Sequence, residues 1–123
     1  LRKVAGELRR DGSTHHVKPR LGAQMPILRW EPRRPGQLAC DVSVNNVLAV
    51  ANSRLLGQYV QLDERVRPLA LSLKAWARGR DINDRSRGTL SSFALTLMLV
   101  HFLQRRKPAV LPSLQDLAVA RGH

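Results

Sequence analysis

One cysteine in 123 residues, Cys40, excludes an internal disulfide framework and any cysteine-built zinc site. It suits a reducing compartment, so an intracellular protein of cytoplasm, nucleus or mitochondrion is expected. Apolar runs are short as well. None reaches the roughly 18 residues that a membrane span needs. The richest, residues 93–103, contains Thr96 and His101 and reads as a buried helix, so no membrane partner is expected. Acidic residues are scarce, nine against 21 Lys and Arg, for a formal charge of +12. Such an excess favours polyanions, of which nucleic acid is the commonest. A solvated basic surface, or a structural role in a ribonucleoprotein, accounts for the charge equally simply. Glycine-rich phosphate loops, a nucleophile elbow and His/Cys metal spacing are all missing. His15 and His16 are no chelating pair, because adjacent strand residues point to opposite faces. The sequence starts at Leu1 and not at methionine, which predicts a fragment or a processed product.

What is present is apolar residue enough for a core, 43% of the chain, in one domain or parts of two. The first third is punctuated. Residues 1–10 end a helix with Val4 and Leu8 at i, i+4, and Asp11-Gly12 stops it. Three strand-like segments follow at 15–20, 25–30 and 38–44, separated by Pro and Gly turns. In the third, Leu38, Cys40, Val42 and Val44 alternate with Ala39, Asp41, Ser43 and Asn45. After Asn46 the period becomes helical. Residues 47–60 place Leu48, Ala51, Leu55 and Tyr59 on one face. A helix over 64–80 is entered through Asp63, with Val66, Leu69, Leu73 and Trp76 as its core stripe. Another spans 88–104, capped by Thr89 or Ser91, and a short one follows Ser113 over 112–120. Strands first and helices after make the fold class α+β, with the chain leaving a sheet near residue 46.

Few residues carry chemistry. Asp41 stands mid-strand, where Asp is depleted, so its presence asks for a reason. A carboxylate on a rigid strand suits Mg²⁺, a hard cation that shares oxygen ligands with substrate phosphates. It is also what an exposed edge residue or the partner of an arginine looks like. On the 64–80 helix, Lys74 and Arg78 point the same way at i, i+4 with no acidic partner at helical spacing. A triphosphate would relieve their repulsion, and so would plain solvation. The stretch GTLSSFAL at 88–95 puts hydroxyls at a helix start, an anion site or only a cap, and Phe93 there either stacks a base or fills the core. Asn52, with Asn45 and Asn46 before it, either meets a ribose or faces solvent.

Taken together, these segments resemble one family. CDVSVNN at 40–46 looks like the third-carboxylate strand of terminal uridylyltransferases and cytoplasmic-type poly(A) polymerases, members of the DNA polymerase β-like nucleotidyltransferase superfamily. LDERVRPL at 62–69, continuing to KAWAR at 74–78, is similar to their next helix, and IND at 82–84 with GTLSSFAL to the one after. MPILR at 25–29 and VLPSLQ at 110–115 complete a likeness over residues 20–116. The resemblance implies that residues 1–45 are the C-terminal part of a palm-type catalytic domain and that 46–123 begin a helical, poly(A) polymerase-associated domain. It implies transfer of a nucleotide from a nucleoside triphosphate to an RNA 3′ end with release of pyrophosphate, assisted by Mg²⁺ or Mn²⁺. Asp41 would be catalytic and metal-binding. Asn52 and Ser53 would lie near the nucleotide sugar, Lys74 and Arg78 on the triphosphate, Ser92 on a phosphate, and Phe93 on the base in place of the family's tyrosine. GTLSSFAL leans toward the uridylyl branch, so UTP is favoured over ATP. The alternatives are a poly(A) polymerase of the same family or a catalytically inactive RNA-binding relative. One departure stands out: the family's Gly-Ser turn and Asp-x-Asp pair match nothing in this sequence and are expected before Leu1, as the base-selecting region is after His123. The 123-residue chain by itself is therefore expected to be inactive.

Overall fold

A computed structural model describes residues 1–10, 14–22, 25–32 and 38–122, with only the backbone of 14–16, 31 and 32. Two compact units divide the chain, Leu1–Val50 and Ala51–His123. The elements appear in the expected order. Helix α1 (Arg2–Arg10) precedes strands β1 (Thr14–Arg20), β2 (Ile27–Pro32) and β3 (Cys40–Ser43). Helices α2 (Val47–Leu62), α3 (Val66–Gly79), α4 (Ser92–Gln104) and α5 (Leu114–Ala120) follow, with a 3₁₀ turn at Arg85–Arg87. The α+β class is thus a sheet followed by helices. None of the described helices is long and apolar enough to cross a membrane.

In the first unit the three strands form an antiparallel sheet in the order β1-β2-β3. The core face carries Val17 and the fully buried Leu28, which Ala5 of α1 covers, with Leu1, Leu8 and Val42 packed around them. Burying such side chains stabilises the unit by roughly 1.5–3 kcal/mol each. The inward side of α1 is therefore the buried Ala5 and the half-buried Leu8, with Leu1 just before the helix, and Val4 is exposed, unlike the expected Val4–Leu8 pair. Arg9 Nη2 donates to the Val17 carbonyl at 3.1 Å and ties the helix to its strand. Strand β3 is shorter than its alternation predicts. Only Val42 of the four apolar residues packs on the core, and Leu38 and Val44 are exposed because the ladder with β2 spans just residues 40–43.

The second unit packs Tyr59, Val66, Val100, Leu103 and Leu111 together, with Leu55, Val60, Leu99, Val110 and Leu114 around them. Half of the predicted α2 face is used. Leu55 and Tyr59 go inside, whereas Leu48 and Ala51 are exposed. On α3 the stripe is turned relative to expectation. Val66 and Ala77 are buried, Ala70 and Leu73 half-buried, and Leu69 and Trp76 exposed. Helices α3 and α4 pack on each other, and the inward positions of α3 include the small Ala70 and Ala77, side chains over which two helices can approach closely. Asp63 is not the N-cap of α3, because the helix starts at Val66 and its cap position is Arg65. Asp63 instead accepts from the Arg65 backbone N–H at 2.9 Å and from its guanidinium at 2.9 and 2.7 Å. Those bonds hold its carboxyl down at about 2. Ser91, rather than Thr89, caps α4 by accepting from Ala94 N–H at 3.0 Å, and Ser113 caps α5 from Asp116 N–H at 3.2 Å.

Candidate functional site

Asp41 lies on β3 directly across from Arg29 of β2. Facing residues of an antiparallel pair project to one side, so Asp41, Arg29, Ile27 and Ser43 share the sheet face opposite the core. Their neighbours Leu28 and Val42 project inward and anchor both strands. The result is an exposed carboxylate on a backbone held from behind. The chain then turns sharply. Asn45 takes the left-handed conformation (φ 58°), which Asn tolerates better than most residues. Asn46 Oδ1 accepts from Ala49 N–H at 3.1 Å, capping α2, while its Nδ2 donates to Ser43 Oγ at 3.5 Å. These two asparagines therefore have local structural roles that set how the chain leaves β3. Among the described residues no group of three or more His, Cys, Asp or Glu could hold a metal. Asp41 fits Mg²⁺ as one hard oxygen ligand and does not by itself form a set.

Asn52 is half-buried on α2 and Ser53 is exposed; neither side chain makes a hydrogen bond among the described residues. On α3, Lys74 is half-buried beside the packed stripe, and Arg78, one turn on, is exposed. Neither forms an ion pair among the described residues. Two cations at i, i+4 that lack an ion pair of their own among the described residues repel mildly, and an anion would remove that cost.

Between α3 and α4 the chain forms a hydrogen-bonded clasp. Asp81 N–H and Ile82 N–H donate back to Arg78 and Ala77 carbonyls, and Asp81 takes a positive φ of 56°. Asp84 Oδ1 accepts from the Ser86 hydroxyl at 2.6 Å and its N–H at 2.9 Å, which lowers the Asp84 pKa. Thr89 Oγ1 accepts from Asp84 N–H at 2.8 Å and donates to the Asp84 carbonyl at 2.9 Å. Gly88 makes the return possible, with φ 77° in the region that other residues avoid. Asn83 closes the clasp. Its Nδ2 donates to the Leu90 carbonyl at 3.0 Å, and its Oδ1 accepts from Ser92 Oγ at 3.1 Å. Arg78, Asp81, Asn83, Asp84 and Arg87 line an open polar cavity of about 230 Å³. Phe93 is half-buried and belongs to neither hydrophobic cluster.

Lys74, Arg78, Ser92 and Phe93 thus fall within one unit, and Asp41 within the other. Asn83 links two of the predicted positions, lining the cavity with Arg78 and holding Ser92. In the sequence Asn83 belongs to the IND segment at 82–84, where it carries no assigned role. The available signal was local: an Asp followed two residues on by Ser, then Gly-Thr, marks a side-chain-closed turn.

Comparison with known proteins shows what the chain is similar to. Residues 1–61 match the family model described as "Poly(A) RNA polymerase, mitochondrial-like, central palm domain". Human terminal uridylyltransferase 4 is 42% identical over 117 residues, 95% of this chain and 7% of that protein. The poly(A) RNA polymerase GLD2-B of Xenopus laevis is 47% identical over 93 residues, 76% of this chain and 18% of that protein. The chain therefore spans less than a fifth of these relatives. Among solved structures, mtPAP in complex with UTP superposes with a TM-score of 0.82 at 34% identity, over 97% of this chain and 26% of that one. The Cid1 poly(U) polymerase H336N mutant bound to MgATP gives 0.72 at 32% identity, over 91% and 37%. The strand-borne carboxylate, the helices that follow it and the matched sequences agree: the chain belongs to the terminal uridylyltransferase and cytoplasmic-type poly(A) polymerase family of DNA polymerase β-like nucleotidyltransferases.

Proposed function

We propose that the complete protein adds nucleoside monophosphates, without a template, from a nucleoside triphosphate to an RNA 3′-hydroxyl. The observation that carries this is Asp41, an exposed carboxylate on an anchored strand, within a segment closely similar to enzymes of that kind. The hydroxyl oxygen attacks the α-phosphorus, the bond from that phosphorus to the bridging oxygen breaks, and pyrophosphate leaves. Mg²⁺ or Mn²⁺, when bound, supplies charge neutralisation at phosphate and activation of the hydroxyl. Asp41 provides one oxygen ligand to it, and the other carboxylates come from outside these 123 residues. Residues 1–45 belong to the catalytic domain on this reading and 46–123 to the helical one.

Lys74 and Arg78 take the triphosphate, whose charge their own unpaired cations complement. Ser92, at the start of α4, meets a phosphate, where free backbone N–H groups and the helix dipole favour an anion. Phe93 offers a ring to the base, keeping the stacking face without a hydroxyl. Asn52 and Ser53, with no internal hydrogen bonds to give up, serve the sugar. None of these contacts distinguishes bases. UTP is the favoured substrate from the GTLSSFAL stretch and the 42% identity to terminal uridylyltransferase 4. ATP is the second reading, favoured by the 47% identity to GLD2-B over a shorter stretch.

The test is extension of an RNA primer by the full-length protein with Mg²⁺ and each of the four nucleoside triphosphates in turn. Extension is expected, fastest with UTP, and none is expected from the 123-residue chain alone. Failure to extend with any nucleotide, or extension by the short chain, would overturn the reading. In the same assay Lys74→Ala is expected to raise the nucleotide KM by about 10-fold or more, the usual effect of removing a hydrogen bond to a charged group, with little change in kcat. An unchanged KM removes Lys74 from the triphosphate.

A further inference from the structure

We propose that Asn83 is a positioning residue for nucleotide binding, acting through the start of α4 and the Ser92 hydroxyl. The inference rests on the reading that Ser92 meets a phosphate, and it deepens it. Three features of the clasp lead here.

The orientation of the Asn83 amide follows from its partners. The Leu90 carbonyl can only accept, so the Asn83 nitrogen must face it, at 3.0 Å. The Asn83 oxygen therefore faces Ser92, and the Ser92 hydroxyl is the donor across the 3.1 Å contact. One side chain thus holds residue 90, before the Ser91 cap, and residue 92, after it.

That hold falls where an anion would bind. Ser91 occupies one of the first N–H groups of α4 through Ala94, and the first-turn N–H groups of a helix that have no intrahelical partner are the ones an anion can take. Their direction is set by the entry of the chain into the helix, which Asn83 fixes through Leu90. The Ser92 oxygen is held in one place by the bond to Asn83, while Thr96 Oγ1 takes the Ser92 carbonyl at 2.8 Å. A phosphate arriving at α4 meets a hydroxyl already located, and turning its proton from a neutral amide oxygen to an anion gains a stronger bond.

Asn83 also stands beside a predicted cation. It lines the polar cavity with Arg78, whose own carbonyl accepts from Asp81 N–H at the base of the clasp. Asn83 thus joins the Ile82–Leu90 and Asp84–Thr89 bonds in setting the C-terminal end of α3 relative to the N-terminal end of α4, and it alone among these residues holds Ser92, without needing to touch the nucleotide. Asn83→Ala releases that setting without removing a group assigned to phosphate.

A double-mutant cycle on the full-length protein tests this, reading nucleotide KM and kcat for Asn83→Ala, Ser92→Ala and the double variant, with melting temperatures for all. Asn83→Ala is expected to raise KM about fivefold with kcat nearly unchanged, and to add less than about twofold in the Ser92→Ala background, as coupled neighbours do. Asn83→Ser, too short to reach both partners, replaces the alanine variant if that one does not accumulate. Equal fold-changes in KM for Asn83→Ala in both backgrounds would overturn the proposal by showing that Asn83 acts independently of Ser92. An unchanged KM with a lowered melting temperature would also overturn it, by leaving Asn83 a loop residue that acts on stability alone. Should Ser92→Ala itself leave KM unchanged, the phosphate reading falls, and the proposal with it, a result separable from additivity.

Discussion

Asp41→Ala in the full-length protein is expected to reduce nucleotide transfer by about 10²- to 10⁴-fold while the protein stays folded. A metal ligand of a phosphoryl-transfer site stabilises transition-state charge by several kcal/mol, and each 1.4 kcal/mol is about tenfold in rate. Stability is expected to change by no more than about 0.5 kcal/mol, because the side chain is exposed and its backbone is anchored by Leu28 and Val42. The contrast separates two roles. A carboxylate present only to face Arg29 across the ladder would cost a few tenths of a kcal/mol in folding and nothing in rate. Primer extension and thermal melts on the same preparations decide between them. Transfer at the parent rate by Asp41→Ala would end the metal-ligand assignment.

Tyr59→Ala is expected to destabilise the helical unit by about 3–5 kcal/mol, because Tyr59 is among the largest fully buried side chains of the described residues. Tyr59 is 1% exposed at the centre of the second hydrophobic cluster, so its ring leaves a cavity that the neighbours fill only in part. Its hydroxyl has a separate effect. It donates to Gln115 Oε1 at 2.9 Å and accepts from Gln104 Nε2 at 3.0 Å and Leu114 N–H at 3.3 Å, joining α2, α4 and α5 at one atom. Tyr59→Phe keeps the ring and is expected to cost about 1–3 kcal/mol, since the half-buried Gln104 and Leu114 groups lose their bond. Urea denaturation followed by circular dichroism reads both. A midpoint for Tyr59→Phe equal to the parent would show that the hydroxyl network adds nothing to stability, and a small loss for Tyr59→Ala would show that the cluster repacks.

Local physics was readable from the residues. The switch from a period of two to a helical period near residue 46 set the order of strands and helices. Ser91 and Ser113 announced two helix starts, because a cap is a bond from one side chain to a backbone three residues away. Asp41 was readable as a carboxylate on the polar face of a strand for the same reason. What the helices bury was readable only in part, with Leu55, Tyr59, Val66 and Leu73 inside as expected. Leu69 and Trp76 carry the stronger hydrophobic signal on α3, yet Ala70 and Ala77 face inward with Val66 and Leu73 while Leu69 and Trp76 are exposed, because the inward side is set by the helix's packing partners and not by its own periodicity. The Tyr59 bonds join residues 45 to 56 positions apart, and no pattern in the chain encodes such a meeting.

Asp41 shows the division clearly. By itself the sequence determined its chemical type, its strand and the family it belongs to, since these depend on neighbours along the chain. Only the tertiary structure decided that the carboxylate shares its face with Arg29, that Asn46 caps the following helix instead of standing free, and that Asn83 holds Ser92. Those outcomes depend on which backbone lies across from which, and that follows from packing and register once the chain has folded.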